Sequence, residues 1–323
     1  MKVVLSGSGS GGHIYPCIAL YKELKKEHQV ILLIFKEIDK KIYDMNHLAY
    51  HYIDNQLSNL EKIKKIRKIL KDEKIDKAIT FGGKNSVFIH LVCKIEHIDS
   101  YIFEQNAVMG KANQLNYFLC KKMFSNFPLN KKKEINVGNP NAISLKSDKG
   151  KKLFNNQKIT LLFTMGSLGS ETVNKVIEQY ILNNNDYNII YISGSNVKSK
   201  IKESELVKVY SFYNPLSDLI RSSDLIISRA GASTLSEIIA LNKPSIIIPS
   251  PYVANNHQYK NAKKIYQNKA CEMILEKELN LTQLTLKIRN LTTNENAYNE
   301  MKNNLKKFEN KDSFEKIKDE IFK

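Results

Sequence analysis

The strongest constraint on the fold of this chain is an order of segments that occurs twice: an apolar β-rich run, a glycine- and serine-rich loop, and a helical run. In the first half, Val3–Leu5 precedes the loop and Pro16–Leu24 is the helix. In the second half, Ile159–Thr164 precedes the loop, and a helix is predicted from about Glu171 to Tyr180. Strands that alternate with helices form parallel sheets with crossover helices. Further strands are predicted at Val30–Phe35, Ala78–Phe81, Tyr101–Phe103, Met123–Ser125, Ile189–Ser193, Asp224–Ser228 and Ser245–Pro249.

The length of the chain favours two domains. A chain of 323 residues is long for one domain and comfortable for two, and the polar segment 138–157 has the character of a linker. We therefore predict two Rossmann-like α/β domains, over residues 1–140 and 141–323, with the last helix packing back on the first domain. Ligands bind such sheets at the carboxyl ends of the strands, so both loops are expected to face a cleft between the domains.

Charge and cysteine usage limit the class of partner. The formal net charge of +17 favours a polyanionic neighbour, either nucleic acid, an anionic membrane surface or a phosphate-bearing substrate. Zinc-finger spacing, an RNP motif and basic-region heptads are all absent from the sequence, so nucleic acid is not expected. The four cysteines are scattered without metal-ligand spacing, which indicates a reducing compartment. No apolar stretch approaches the ~20 residues of a spanning helix, so we expect a soluble or peripheral protein.

The first loop reads SGSGSGGH directly after the first strand. Its glycines permit close approach to a ligand, and the following helix N-terminus can receive an anion. Gly7, Gly9 and Gly12 fit G-x-G-x-x-G, but the acidic residue of the dinucleotide fingerprint is lacking at the end of the second strand, with Glu37 just beyond it. His13 is a candidate general base. A tight turn without a ligand, and a capping or core histidine, are the alternatives.

Two loops in the second half have the same character. The segment TMGSLGS at 164–170 offers the Ser167 hydroxyl and N–H groups to a phosphate, with a plain turn as the alternative. The segment SRAGASTLSE at 228–237 leaves room for a diphosphate at a helix start, and Glu237 is placed to accept hydrogen bonds from ribose hydroxyls. The alternative is a capping box in which Ser233 or Thr234 caps the helix. The segment NHQYKNA at 256–262 offers amide and imidazole groups to sugar hydroxyls.

Taken together, these segments resemble the MurG family of glycosyltransferases. The resemblance covers the chain to about residue 275 and rests on SGSGGH at 8–13, FEQN at 103–106, GNP at 138–140, RAGA at 229–232 and NHQ at 256–258. It implies the GT-B arrangement of two Rossmann-like domains. This chain departs from the family pattern at Lys84, where the family has tyrosine, and at Ala142, where it often has arginine.

The resemblance also implies roles for individual residues. On the acceptor side it implies contacts from Ser10, Gly11, Gly12, His13 and Asn106, with His13 as the candidate base. For the diphosphate and its neighbours it implies Ser167, Asn174, Ala232, Ser233 and Thr234. It assigns the ribose to Glu237 and the N-acetylglucosamine to His257 and Gln258.

The activity implied is inverting transfer of N-acetylglucosamine from UDP-N-acetylglucosamine to the C4 hydroxyl of the muramyl sugar of lipid I, giving lipid II for peptidoglycan. The acceptor is a lipid-linked muramyl pentapeptide at the cytoplasmic face of the cell membrane. Helix N-termini can stabilise the leaving diphosphate and no Asp-x-Asp motif is present, so no metal or other cofactor is expected. The alternatives are a glycolipid synthase of the same fold, a UDP-sugar epimerase, and a non-catalytic subunit that recruits a partner to the membrane.

The segment Leu57–Lys71 predicts a basic amphipathic helix for an anionic membrane surface. Its apolar stripe comprises Leu57, Leu60, Ile63, Ile66 and Leu70. The basic residues of the segment are Lys62, Lys64, Lys65, Arg67, Lys68 and Lys71. Further charge is expected from Lys121, Lys122 and Lys131–Lys133, with Phe124, Phe127 and Leu129 interleaved. In the alternative, the apolar stripe of the helix packs on the sheet.

Overall fold

The computed structural model describes residues 1–9, 11–140, 145, 152–310 and 312–323. The chain divides into two compact units, Met1–Ser144 with Asn310–Lys323 and Leu145–Glu309. Each unit contains one parallel β-sheet flanked by helices, which confirms the predicted fold class of two parallel-sheet α/β domains. Half of the predicted linker, including the departure at Ala142, lies outside the described residues.

The first unit is built on a seven-stranded sheet in the order β3-β2-β1-β4-β5-β6-β7, in which every pair is parallel. The strands are β1 (Lys2–Ser6), β2 (Gln29–Ile34), β3 (His51–Tyr52), β4 (Lys77–Thr80), β5 (Asp99–Glu104), β6 (Lys122–Ser125) and β7 (Glu134–Asn136). The helices between them are α1 (Gly11–Leu24), α2 (Glu37–Met45), α3 (Asn59–Asp72), α4 (Ser86–Ile95) and α5 (Lys111–Leu119).

The second unit has a six-stranded sheet in the order β10-β9-β8-β11-β12-β13, again parallel throughout. Its strands are β8 (Thr160–Thr164), β9 (Asn188–Ile192), β10 (Val207–Tyr210), β11 (Leu225–Ser228), β12 (Ser245–Ile247) and β13 (Glu272–Met273). Its helices are α6 (Glu171–Leu182), α7 (Leu216–Arg221), α8 (Ala232–Ala240), α9 (His257–Tyr266), α10 (Leu281–Thr293) and α11 (Glu295–Leu305). Short 3₁₀ turns occur at Ala254–Asn256, Glu276–Glu278 and Lys306–Phe308.

The central strand β1 shows why these sequences form sheets that are covered on both faces. Val3 and Leu5 point into one hydrophobic core, and Val4 points into the other. Successive side chains of a strand alternate between faces, so a strand buried on both sides must be apolar at every position. The run VVL satisfies this requirement.

In both sheets the strand order reverses beside the first strand of the unit. β1 lies between β2 and β4, and β8 lies between β9 and β11. Chain segments that leave the carboxyl ends of two such neighbouring strands diverge to opposite faces and open a crevice between them. The loops after β1 and β4, and those after β8 and β11, therefore mark the expected ligand sites of the two units.

The C-terminal helix α12 (Ser313–Phe322) belongs to the first unit. Ile317 and Ile321 enter the hydrophobic core that also contains residues of α1. The Phe322 ring stacks on His28 with 3.8 Å between the ring centroids, and Lys318 forms an ion pair with Glu23. Helix α12 thus packs as part of the first unit.

Candidate active site

In the first unit, the loops after β1 and β4 touch, and glycine makes the contact possible. A Cβ at residue 7 would lie 2.6 Å from both the Cys17 Cβ and the His13 carbonyl oxygen. Gly83 has a φ of +90°, and a Cβ there would lie 3.0 Å from the Ser8 carbonyl oxygen. Any larger side chain would push the loops apart. The first loop is therefore a close-packed element.

His13 lies in the first turn of α1, close to the loop after β4. Its Nδ1 is 3.1 Å from the Ser8 carbonyl oxygen, and a Cβ at residue 82 would lie 3.3 Å from its Nε2. Because a carbonyl oxygen can only accept, Nδ1 carries the proton and Nε2 of the neutral ring carries a lone pair. Among the described residues, Nε2 has no hydrogen-bond partner.

The surroundings of His13 favour its neutral form. Burial lowers the pKa of the ring, and this effect exceeds the opposing influences of the Ser8 hydrogen bond and of the carboxylates Glu104 and Asp39. A ring that is neutral near pH 7 and has an unprotonated Nε2 can accept a proton. The geometry is therefore compatible with the predicted role of His13 as a general base.

An acidic residue that the sequence reading missed holds the first loop. Asp39 on α2 is only 1% exposed; its carboxylate accepts hydrogen bonds from the Ser8 hydroxyl and from the Gly9 N–H, the latter at 3.2 Å. Glu37, at the position considered for a dinucleotide fingerprint, is instead exposed and pairs with Lys40 at 2.8 Å. In the sequence, Asp39 could have been noticed as an acidic residue in the first turn of the helix that follows β2. Its carboxylate binds the first loop of the protein.

A second buried carboxylate organises the loop after β5. Glu104 accepts from the Asn106 backbone N–H at 3.0 Å, from the Gly110 N–H at 2.9 Å and from the Asn113 side-chain amide at 2.9 Å. Asn106, predicted for the acceptor, is half-buried in this loop. Glu104 lies inside the FEQN segment, and its role is to hold the loop that carries Asn106.

The remaining acceptor-side predictions fall at the start of α1. Gly11 and Gly12 are the first residues of that helix and are half-buried, so their N–H groups belong to the turn that can receive an anion. Ser10 lies outside the described residues. Lys84, which departs from the family pattern and lies in the loop after β4, is exposed.

In the second unit, α8 begins at Ala232 with Gly231 as its N-cap, and no side chain caps it. The alternative of a capping box through Ser233 or Thr234 is therefore wrong. The Ser233 hydroxyl and Glu237 Oε2 are buried and have no hydrogen-bond partner within the part of the chain that the structure describes. These two residues are four apart on a helix, so they lie on one face.

Glu237 has the electrostatic character of a group that lacks its partner. Desolvation raises the pKa of its carboxyl to about 8, against which the charge of Arg221 acts only weakly. Buried polar groups without partners cost about 1–3 kcal/mol each. A ligand with hydroxyl donors would remove this cost, so this face of α8 is a candidate nucleotide site.

The loop after β8 is braced by its neighbours. The Ser167 carbonyl oxygen accepts from the Ser195 N–H at 2.8 Å, and Ser167 itself is exposed. The Asn174 side-chain amide donates to the Ser193 carbonyl oxygen at 2.7 Å and is 1% exposed. Asn174 thus ties α6 to the end of β9. Its Oδ1 is buried without a hydrogen-bond partner among the described residues, and its contact with a diphosphate remains a prediction.

His257 and Gln258 lie at the start of α9, after β12. Asn255 and Asn256 precede them with φ values of 57° and 49°, in the left-handed region. His257 Nδ1 is 2.9 Å from the Ala254 carbonyl oxygen, and Gln258 Oε1 accepts from the Ser250 N–H at 2.9 Å. The predicted donor-side residues therefore follow β8, β11 and β12, which are neighbouring strands of one sheet.

Arg229 was not singled out as a site residue, although it belongs to the RAGA motif. It is buried after β11, donates to the Ile248 carbonyl oxygen at 3.1 Å and pairs with Glu276 at 2.7 Å. Glu276 in turn accepts from the Thr172 hydroxyl at 3.1 Å. This network fixes the turn that leads into α8.

The predicted membrane stripe is corrected by the structure. Ile66 and Leu70 of α3 are buried in a hydrophobic core, and Leu57 and Ile63 pack against it. These four residues pack inward as in the alternative, whereas Leu60 is 63% exposed. Phe124 and Phe127 are also buried. The exposed residues of α3 include a basic face formed by Lys64, Lys65, Arg67, Lys68 and Lys71.

Among the described residues, no helix is both long and apolar enough to span a membrane. No three His, Cys, Asp or Glu side chains in those residues come together as possible metal ligands.

Comparison with known proteins places both units in one class. Residues 3–125 match the glycosyltransferase family 28 N-terminal domain, and residues 160–320 match its C-terminal domain. A protein of Listeria monocytogenes serovar 1/2a, named UDP-N-acetylglucosamine--N-acetylmuramyl-(pentapeptide) pyrophosphoryl-undecaprenol N-acetylglucosamine transferase, is 32% identical over 98% of both chains. A protein of the same name from Caldicellulosiruptor saccharolyticus is 30% identical over 95% of this chain and 93% of its own.

The fold agrees with this result. The crystal structure of Acinetobacter baumannii MurG matches with a TM-score of 0.82 at 22% identity, over 99% of both chains. The chain is thus a family 28 glycosyltransferase. Within that class, it belongs to the MurG family of N-acetylglucosamine transferases, which confirms the resemblance of its motifs.

Proposed function

We propose that this protein transfers N-acetylglucosamine from UDP-N-acetylglucosamine to the C4 hydroxyl of a lipid-linked muramyl pentapeptide. The observation that carries the proposal is the buried, unpartnered pair of Ser233 and Glu237 on α8. A hydroxyl and a carboxyl on one helix face match the donors and acceptors of a ribose beside a diphosphate. Membership of the MurG family then specifies the sugar and the acceptor.

In the proposed reaction, the second unit holds the donor. The first turn of α8, which begins at Ala232 behind Gly231, presents N–H groups to the diphosphate. These groups and the loop at 166–170 stabilise the negative charge that develops on the leaving UDP. His257 and Gln258 contact the hydroxyls of the sugar.

The first unit holds the acceptor and the base. Nε2 of His13 takes the proton of the acceptor C4 hydroxyl. At the same time, the oxygen of that hydroxyl forms a bond to C1 of the N-acetylglucosamine. The bond between C1 and the diphosphate oxygen breaks in the same displacement, and its electron pair leaves with UDP. A single displacement inverts the configuration at C1. Asn106 and the first turn of α1 orient the acceptor.

The test is UDP release by the purified protein with UDP-N-acetylglucosamine, with and without a short-chain lipid I analogue. Acceptor-dependent release together with a disaccharide product is the expected result. Donor binding without turnover on this acceptor, but with turnover on a diacylglycerol, would replace the proposal with the glycolipid synthase alternative. Absence of donor binding would refute a transferase of any kind and leave the non-catalytic alternative.

The membrane-facing surface of this enzyme is proposed to be the outer side of α4 and α5, at the cytoplasmic face of the cell membrane. α4 packs against both α3 and α5. Leu91 and Ile95 of α4, and Leu115 and Phe118 of α5, are exposed, Phe118 to 81%. Apolar side chains beside the basic face of α3 combine the two attractions that hold a protein on an anionic bilayer.

Sedimentation with vesicles that contain anionic lipid tests this surface. Phe118→Ser should weaken binding several-fold, because it removes most of one exposed aromatic contact. The matched control is Leu286→Ser on α10, which changes a side chain of similar exposure, 62%, in the second unit. Equal binding of both variants and the wild type would refute the assignment to α5.

A further inference from the structure

We propose that Asp39 is a positioning residue for His13: its carboxylate fixes the backbone of Ser8 and Gly9, and the Ser8 carbonyl fixes the His13 ring. The geometric part of this proposal concerns the protein without substrate. Its catalytic consequence rests on the proposed function, in which His13 is the base.

The first step is the contact between α2 and the loop. Asp39 accepts from the Ser8 hydroxyl and from the Gly9 N–H, which is 3.2 Å from each carboxylate oxygen. One helical turn later, the Tyr43 hydroxyl donates to the Gly7 carbonyl oxygen at 2.6 Å. Two side chains on one face of α2 thus hold three consecutive loop residues.

The second step is the cost of placing Asp39 there. The residue is buried, and in the part of the chain that the structure describes no lysine or arginine forms an ion pair with it. A buried carboxylate without a counter-ion is expensive unless hydrogen bonds compensate it. The loop provides these hydrogen bonds, so the loop conformation and the charge of Asp39 depend on each other.

The third step joins the loop to the ring. Ser8 takes part in both contacts. Its hydroxyl donates to Asp39, and its carbonyl oxygen accepts from His13 Nδ1 at 3.1 Å. A shift of the Ser8 backbone would release Nδ1 and allow the proton to move to Nε2. Nε2 could then no longer accept a proton from a substrate.

Charge adds to this geometric effect. The charged groups that act on His13 are the carboxylates of Glu104 and Asp39, which raise its pKa, and the ammonium of Lys36, which lowers it. Removal of the Asp39 charge should therefore lower the pKa of His13 further. A residue that only stabilised the fold would not produce this change.

The test compares Asp39→Asn with the wild type in the full-length protein. Long-range ¹H–¹⁵N spectra of ¹⁵N-histidine protein report which ring nitrogen carries the proton, and His13→Gln identifies the signal. The wild type should show the Nδ1-protonated form. Asp39→Asn should show a mixture of tautomers, a titration midpoint at lower pH, and kcat lower by at least about tenfold, which is part of the roughly 10²–10⁴-fold contribution of a general base.

The matched control is Asp44→Asn, which removes the same charge from an exposed residue of α2. The Asp44 carboxylate accepts a hydrogen bond from the Tyr50 hydroxyl at 3.0 Å and forms none with the described residues of the loop. This substitution should leave the tautomer, the midpoint and kcat unchanged. Should Asp39→Asn fail to fold, Ser8→Ala keeps the carboxylate and removes one hydrogen bond, and it should also produce mixed tautomers.

The outcomes separate the two proposals. A wild-type tautomer and midpoint in both Asp39→Asn and Ser8→Ala would overturn the positioning role. If Asp39→Asn shows mixed tautomers but the wild-type protein shows no turnover with the lipid acceptor, the positioning role is supported and the proposed function is refuted.

Discussion

Glu237 provides a case in which stability and binding should change in opposite directions. Its Oε2 is buried without a partner, and desolvation raises the pKa of the carboxyl from 4.5 to about 8. Glu237→Gln removes the ionisable group and keeps its shape. We expect this variant to be more stable than the wild type at pH 7 and to bind UDP-N-acetylglucosamine more weakly.

The magnitude for stability follows from proton linkage. In the unfolded chain the carboxyl ionises above pH 4.5, whereas in the folded protein it stays protonated up to about pH 8. The folded state therefore loses stability as the pH rises through this window, by about 1.4 kcal/mol per pH unit, or about 3 kcal/mol at pH 7. Glutamine avoids the ionisation but leaves a buried polar group, so a gain of at least about 1 kcal/mol is expected.

The effect of Glu237→Gln on the affinity for UDP-N-acetylglucosamine is expected to be opposite to its effect on stability. Ribose hydroxyls donate best to an ionised carboxylate, so donor binding should release nearly one proton at pH 7. The association constant should then rise by close to tenfold per pH unit below pH 8. At pH 8 and above, where the wild-type carboxyl is largely ionised, Glu237→Gln loses a charge-assisted hydrogen bond worth about 1.5–3 kcal/mol, equivalent to about 10- to 100-fold in affinity; the loss becomes smaller at lower pH.

Calorimetric titration with UDP-N-acetylglucosamine, in buffers of different ionisation enthalpy, measures both the affinity and the protons released. Thermal unfolding of the same samples measures stability. The control is Glu205→Gln, which changes an exposed acid in the same unit. An affinity of the wild type that does not vary with pH between 6 and 8, or a Glu237→Gln variant that is less stable, would refute the reasoning.

Three further substitutions test other parts of the chain. His13→Gln should lower kcat by about 10²–10⁴-fold and leave donor affinity unchanged; near-normal turnover would exclude His13 as the base. His90 is buried between the Thr80 and Ser100 hydroxyls, and burial lowers its pKa to about 3. Its contribution to stability is complete above pH 6.5 and is lost as the pH falls towards 3, so denaturant unfolding should show a loss of about 2 kcal/mol at pH 5 that His90→Gln reduces. Arg229→Gln leaves the Glu276 carboxylate without its ion pair and should destabilise the second unit by about 3–5 kcal/mol, and a stability equal to the wild type in urea would contradict this.

The alternation of apolar runs was enough to predict the architecture, and its failures have physical causes. Strand β10 (Val207–Tyr210) was missed because it is an edge strand whose residues are all half-buried, so its sequence is not a continuous apolar run. Helix α1 was predicted from Pro16, since proline favours a helix start. It begins instead at Gly11, because the contact of the Gly7 region with Cys17 and the His13 hydrogen bond stabilise a first turn rich in glycine.

The motifs identified which segments form the site, but not how each side chain is used. Glu237 and Ser233 were named from their spacing, and the structure leaves both without partners. Asn174 was named in the same way, yet it is buried against the Ser193 carbonyl. Asp39 was missed because the fingerprint expects an acid at the end of β2, whereas the contact with the loop depends on where α2 begins and which face it turns inward. Such facts come from three-dimensional packing, which a single sequence does not determine.

The two units apply one topology to two different electrostatic tasks. In the first unit, two buried carboxylates hold the loops: Asp39 accepts from Ser8 and Gly9, and Glu104 accepts from Asn106 and Gly110. Such a site is already organised before substrate arrives, as a base needs to be.

In the second unit, Ser233 and Glu237 remain buried without partners, and their desolvation is recovered only when a ligand supplies them. Binding of the nucleotide should therefore stabilise the second unit more than the contacts alone would suggest, since it also removes a cost present in the unliganded protein.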